Sequence, residues 1–263
     1  MFPYSANEAA VQLIFFHLLV SIRFLAMFTT ASAFMLPSMP QAAKFWLAAA
    51  LALSVTPALD LQAPTLLLDS WTFVFVLGVR EFLIGAAIGF VSSLPLYALQ
   101  ISGFLDSTFM GFNMMNVFDP LSSAQVSVLA QMKYLLAIWF YLRWDGHILL
   151  VQALAESVRL VPPGVSMWDS AHFIPWIDWL QRAFMIALRI SLPILGSILL
   201  AEVGLGFVAR TVPQMNVFIL GIPIKIGVGF VVLLTILPSS VDIFHGEIER
   251  AVRTALEGIH FLR

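Results

Sequence analysis

A catalytic site needs a nucleophile beside a base, or ligands spaced to close on a metal, and this chain offers neither pattern. Its histidines (His17, His147, His172, His245 and His260) are scattered, with no H-x-x-x-H pair for a metal. There is no G-x-x-x-x-G-K-[ST] phosphate loop and no G-x-S-x-G nucleophile elbow. Ser5, Ser21 and Ser32 have no base near them in sequence. The absence of Cys removes disulfides, thiolate metal sites and thiol nucleophiles together. Asp145-Gly146-His147 is compact, but a lone Asp-His pair astride a glycine reads as a turn, since a catalytic triad is defined by geometry. The expectation is no enzyme, no metal and no cofactor.

The chemistry that remains is charge in apolar surroundings. Eight ionisable residues lie within long apolar runs: Arg23, Arg80, Glu81, Lys133, Arg182, Arg189, Glu202 and Lys225. A charge at the centre of a bilayer costs about 2.5 to 3.5 kcal/mol on insertion scales, so these groups must face a protein interior, a watery path or a partner subunit. Arg182 and Arg189 are seven residues apart and share one helix face. Snorkelling near a helix end suits Arg182 and Lys133. Arg80, Glu81, Arg189 and Glu202 lie deep in their runs and need another explanation.

The elements that must carry these charges are membrane helices. Of 263 residues, 60% are hydrophobic and 11% charged, too few charges to cover a water-soluble globule of this size. A net charge of -2 gives no basic surplus for nucleic acid. About six to seven apolar segments follow one another, near 9–36, 43–59, 71–103, 126–142, 148–161, 176–208 and 217–237. These runs are continuous and long, unlike the short alternating strands of an outer-membrane barrel, so the fold class is an all-α integral membrane protein. From 241 to 263, Glu247, Glu249, Arg250, Arg253 and Glu257 alternate with Ile248, Val252, Leu256 and Ile259, the spacing of an amphipathic helix. Ala31-Ser32-Ala33 has the form of a signal-peptide cleavage site, but Glu8, the lack of an early Lys or Arg and the length of the run argue against cleavage.

Loops 60–69 and 106–123 contain no Lys or Arg yet flank one apolar segment, so the positive-inside rule contradicts itself. Either the third segment is a re-entrant hairpin or the chain does not cross the membrane in the ordinary way. Pro95 and Pro193 interrupt the two longest runs, where proline kinks a helix. Gly204, Gly206, Pro213, Gly221, Pro223, Gly227 and Gly229 cluster near the last two segments. Gly85 and Gly89 form a G-x-x-x-G, read as tight helix packing in preference to a dimer motif. The oddest stretch is Phe109-Met110-Gly111-Phe112-Asn113-Met114-Met115-Asn116-Val117-Phe118-Asp119-Pro120. Flexible Met side chains seal irregular gaps, and an apolar loop of this kind either gates by excluding water or simply packs.

Several of these features together resemble the FliR/SctT family, the export-gate component of flagellar and injectisome type III secretion. The resemblance rests on the spacing of Gly103, Met110, Gly111 and Asp119-Pro120, and on Asp145-Gly146-His147, which looks like the family's Asn-Gly-His. It continues through Ser191-Leu192-Pro193-Ile194-Leu195 and Gly204-Leu205-Gly206-Phe207-Val208-Ala209-Arg210. The most specific match is Pro213-Gln214-Met215-Asn216-Val217-Phe218-Ile219-Leu220-Gly221-Ile222-Pro223-Ile224-Lys225-Ile226. Segment order and length agree across essentially the whole chain, and the flagellar branch looks closer. The family often reads G-x-Q-M-G where this chain has Ser107-Thr108-Phe109-Met110-Gly111, Asp106 is an unusual charge beside it, and Asp145 stands for the usual Asn.

The resemblance implies one membrane-embedded export-gate domain, with a FliP-like part over about 1–175 and a FliQ-like part over about 176–263. It implies long kinked helices in helical hairpins, partly raised above the bilayer plane, which would reconcile the buried charges with the conflicting orientation signal. The implied partners are FliP-like, FliQ-like, FlhB-like and FlhA-like subunits of the flagellar basal body in the bacterial cytoplasmic membrane, with unfolded proteins as cargo. The loop from about Asp106 to Pro120 would plug the pore, while Arg80, Glu81, Arg189, Glu202 and Lys225 would serve assembly. The competing reading is a polytopic secondary transporter using intramembrane charges and broken helices, although no internal repeat supports it. An intramembrane enzyme would need a paired nucleophile and base.

Overall fold

The computed structural model describes residues 6–34, 40–58, 71–112, 127–163, 174–212 and 217–260. Every long element among them is an α-helix: α1 (Ala6–Thr30), α2 (Gln41–Ala58), α3 (Trp71–Met110), α4 (Val128–Arg143), α5 (Gly146–Leu160), α6 (Ile174–Thr211) and α7 (Val217–His260). A short 3-10 turn, Ser32–Phe34, follows α1. The all-α expectation therefore holds. By length and apolar composition four helices can cross a membrane, over Val11–Thr30, Thr72–Met110, Asp178–Thr211 and Leu220–Glu257.

The third apolar segment is not a hairpin. It lies within one 40-residue helix that runs through Pro95. At about 1.5 Å per residue α3 spans about 60 Å, roughly twice the hydrocarbon thickness of a bilayer. α6 likewise runs through Pro193. α7 runs through Pro223 and Pro238, so the apolar segment 217–237 and the amphipathic tail form one 44-residue helix. Each proline removes one backbone hydrogen bond without ending its helix.

The turn between α4 and α5 follows from local chemistry. Ser127 caps α4 by accepting the Ala130 N–H at 3.2 Å. Asp145 takes a left-handed conformation, φ 56°, and its carbonyl accepts from the N–H groups of Ile148 and Leu149. Asp and Asn tolerate that region better than other non-glycine residues. This explains why either residue serves before Gly146-His147: Asp145 makes the turn, and Gly146 and His147 open α5.

Two compact units share the chain. One comprises Met1–Leu94, Asp145–Trp179 and Ile248–Arg263; the other comprises Pro95–Trp144 and Leu180–Glu247. In the first, α1 packs on α2, and Phe16, Val20, Phe24, Met27 and Phe28 are buried. The two glycines of the G-x-x-x-G lie on the backbone of α1. A Cβ at Gly85 would overlap the Arg23 carbonyl, and one at Gly89 would overlap the Thr30 hydroxyl and stand 2.7 Å from the Met27 carbonyl. The Thr30 hydroxyl donates to the Ala86 carbonyl at 3.1 Å, and the Ser32 N–H donates to the Ser93 hydroxyl at 2.8 Å. Small residues thus bring α1 and α3 close enough for polar contacts between them.

In the second unit, the core gathers Met110, Leu129, Ile194, Ile198 and Leu233 from four helices. Gly103 plays the part that Gly85 plays elsewhere, since its Cβ would stand 2.7 Å from the Cα of Ala130. Outward, α6 and α7 are apolar, with Leu200 75% and Val231 66% exposed.

Candidate functional site

The charges inside the apolar helices form separate centres. In the first unit, Arg23 on α1 is fully buried. Its Nε donates to Glu81 Oε2 at 2.6 Å, one Nη donates to the Ser157 hydroxyl at 3.2 Å, and the other donates to the Val161 carbonyl at 3.0 Å. One guanidinium fork therefore ties α1, α3, α5 and the residue just past α5. A buried pair of this sort survives desolvation because extra hydrogen bonds satisfy the donors that the carboxylate leaves over. Arg80, next to Glu81, is also buried.

The second unit has its own centre. Asp106 on α3 is buried, and its carboxylate accepts from the Lys133 ammonium of α4 on one oxygen and from the Ser191 hydroxyl of α6 on the other. Lys133 also donates to the Ser102 hydroxyl at 3.1 Å. Snorkelling near a helix end is therefore not the role of Lys133; its ammonium turns inward to a carboxylate. Asp106, the charge that departs from the family pattern, has its compensation in the same unit. In the sequence Asp106 stood out as an unusual charge and Lys133 read as a snorkelling base, so nothing marked the two as a pair.

One turn beyond Asp106, Met110 is fully buried, and its side chain lies over Gly229 of α7, where a Cβ would come within 2.6 Å of it. Gly111 adopts φ +86°, a conformation that L side chains rarely take, and turns the chain off the end of α3. Phe112 then packs edge-on to Phe230, ring centroids 6.1 Å apart, and leans on the Met110 cluster. Phe109 faces outward at 37% exposure. The apolar stretch thus begins from a fixed stem. Its remainder, Asn113, Met114, Met115, Asn116, Val117, Phe118, Asp119 and Pro120, lies outside the described residues, as do Pro213, Gln214 and Asn216.

The remaining charges lie on outer faces. Lys225 donates to Glu202, and both side chains are partly exposed. Arg182 donates from Nε to Glu247 at 3.1 Å and from an Nη at 3.4 Å, which places it in an ion pair as well. Arg189 is exposed, although it is 11 residues inside the apolar span that starts at Asp178. Pro193, Gly204, Gly206 and Pro223 are exposed too, while Gly221 is buried. A Cβ at Gly204 or Gly206 would meet nothing within 4 Å. The structure brings Arg80 beside Glu81 and Glu202 to Lys225, and Arg189 has no ion pair among the described residues. Among the described residues, no group of three or more His, Cys, Asp or Glu side chains converges on a metal-sized site.

These features define the class: an all-α membrane protein whose polar side chains join helices to one another. The bacterial export proteins, family 1, match residues 14–251. The chain belongs to that family. It is 33% identical over 222 residues to the flagellar biosynthetic protein FliR of Bacillus subtilis, covering 82% of this chain and 84% of that protein. It is 28% identical over 220 residues to FliR of Escherichia coli, covering 82% of each. Similarity extends to the Yop proteins translocation protein T of Yersinia pestis, at 30% identity over 193 residues and 70% of each chain. The FliR/SctT resemblance read from the loop and the last two segments therefore holds over most of the chain.

Proposed function

We propose that this chain is a structural and gating subunit of the flagellar type III protein export gate in the bacterial cytoplasmic membrane. In this reading it assembles with FliP-like and FliQ-like subunits, and with FlhB-like and FlhA-like components of the basal body, around a channel for unfolded flagellar proteins. It acts as a scaffold and a seal, with no catalytic step of its own. Likeness to flagellar proteins over 82% of the chain supports the flagellar branch over the injectisome branch, where the Yersinia relative covers 70%.

The observation that carries the gating role is the anchored stem. Met110 is locked over Gly229, and Phe112 is set against Phe230. A plug must start from a fixed point if it is to return to one closed position, and a Met- and Phe-rich segment excludes water where it closes. Deleting residues 112–117 should leave a gate that assembles but conducts small ions. The check is conductance, or sensitivity of the cells to small toxic solutes, with and without the deletion. A membrane that stays fully sealed around the assembled deletion variant would refute the plug.

A further inference from the structure

Resting on the assembly just proposed, we infer that Arg189 is a docking point for a carboxylate carried by an apolar helix of a partner subunit. Elimination singles out Arg189. Of the eight charges in apolar runs, Arg23 and Glu81, Lys133 with Asp106, Arg182 with Glu247, and Lys225 with Glu202 form ion pairs, and Arg80 lies beside Glu81. Arg189 has no carboxylate partner among the described residues.

The surface around Arg189 suits such a partner. Met185, Arg189, Leu192, Leu200, Val203 and Phe207 follow at helical steps along one line of α6, and the apolar five are each more than half exposed. Gly196 lies on the same line, and a Cβ there would meet nothing within 4 Å, so the line has a notch in its middle. From Met185 to Phe207 the line rises about 33 Å, the thickness of a bilayer core. The line is apolar except for one guanidinium, so its complement is an apolar helix with one acid.

The backbone adds an acceptor at the same level. Pro193 follows Arg189 by four residues and has no N–H, so the Arg189 carbonyl loses its helical donor. A charged donor and a spare acceptor therefore occur at one level of an apolar face. A carboxylate neighboured by a hydroxyl or amide satisfies both. The chain supplies its own precedent, because Arg182, two turns earlier on the same line, is held by Glu247. Lipid tails offer neither group, and a headgroup would have to reach Arg189 more than three helical turns inside the span.

The test uses the full chain expressed with its FliP-like and FliQ-like neighbours and purified in mild detergent. Arg189→Leu and Arg189→Glu should lower co-purified partner at least tenfold at equal amounts of membrane-inserted chain, whereas Arg189→Lys should keep at least half. A photo-crosslinking residue at Leu192 or Leu200 should capture a partner helix containing Asp or Glu, and changing that acid to Lys should restore assembly of Arg189→Glu. Unchanged yield in both non-cationic variants, or crosslinks to lipid alone, would overturn the inference while leaving the assembly reading intact. If the unsubstituted chain brings down no membrane partner, the assembly reading fails and takes this inference with it.

Discussion

Two ion pairs of this chain, Arg23–Glu81 and Lys225–Glu202, join neighbouring helices within apolar segments, yet their surroundings are opposite. The first has no exposed side-chain surface on either member, and two further acceptors complete the guanidinium. The second is 26% and 46% exposed and relies on one contact. The chain itself encloses the first pair and completes its guanidinium, although Glu81 Oε1 is buried without a hydrogen-bond partner among the described residues. Removing Arg23 therefore leaves a buried carboxylate worse satisfied. The second pair is left for its environment to finish, whether lipid headgroups, water or another subunit. The chain thus has an interior that is enclosed and an outer face on α6 and α7 that is open.

The largest effect expected from that contrast is at Arg23. Arg23→Leu takes from buried Glu81 its hydrogen-bonded cation, leaving only the neighbouring Arg80, and should cost about 3 kcal/mol, the low end for a broken buried pair. Tryptophan fluorescence during thermal unfolding in detergent would read it as a large fall in Tm. The double variant with Glu81→Leu should recover much of the loss, and a double variant as unstable as the single one would show that packing, and not charge, dominates there. Asp106→Leu comes next, at no more than about 3 kcal/mol, because Lys133 keeps the Ser102 hydroxyl. Lys225→Ala should change the stability of the isolated chain by less than about 1 kcal/mol. If it matched Arg23→Leu in the same melt, the distinction between an enclosed interior and an open face would collapse.

Glycines sharpen the same contrast. Gly85, Gly89 and Gly103 each touch the backbone of a neighbouring helix, while Gly204 and Gly206 touch nothing within 4 Å. The G-x-x-x-G spacing marked Gly85 and Gly89 as packed, but spacing could not separate a packed Gly103 from an outward-facing Gly204 or Gly206. Asp106 and Lys133 were similarly ambiguous. Lys133 read as a snorkelling base and Asp106 as an unusual charge, since 27 residues separate them and nothing local predicts that they meet. Arg182 had the same fate, because its partner Glu247 lies 65 residues away in what read as a separate tail.

Composition and run length alone determined that this is an all-helical membrane chain, because a bilayer admits apolar helices and penalises loose backbone. The residues from Gly103 to Pro120 and from Ser191 to Ile226 determined the family. Local chemistry determined the Asp145 turn and the Ser127 cap. Tertiary structure alone decided which charges are partnered, which prolines stay within unbroken helices and where Met110 is seated. An ion pair depends on distance in space, and helices tens of residues apart in sequence set that distance only when they pack.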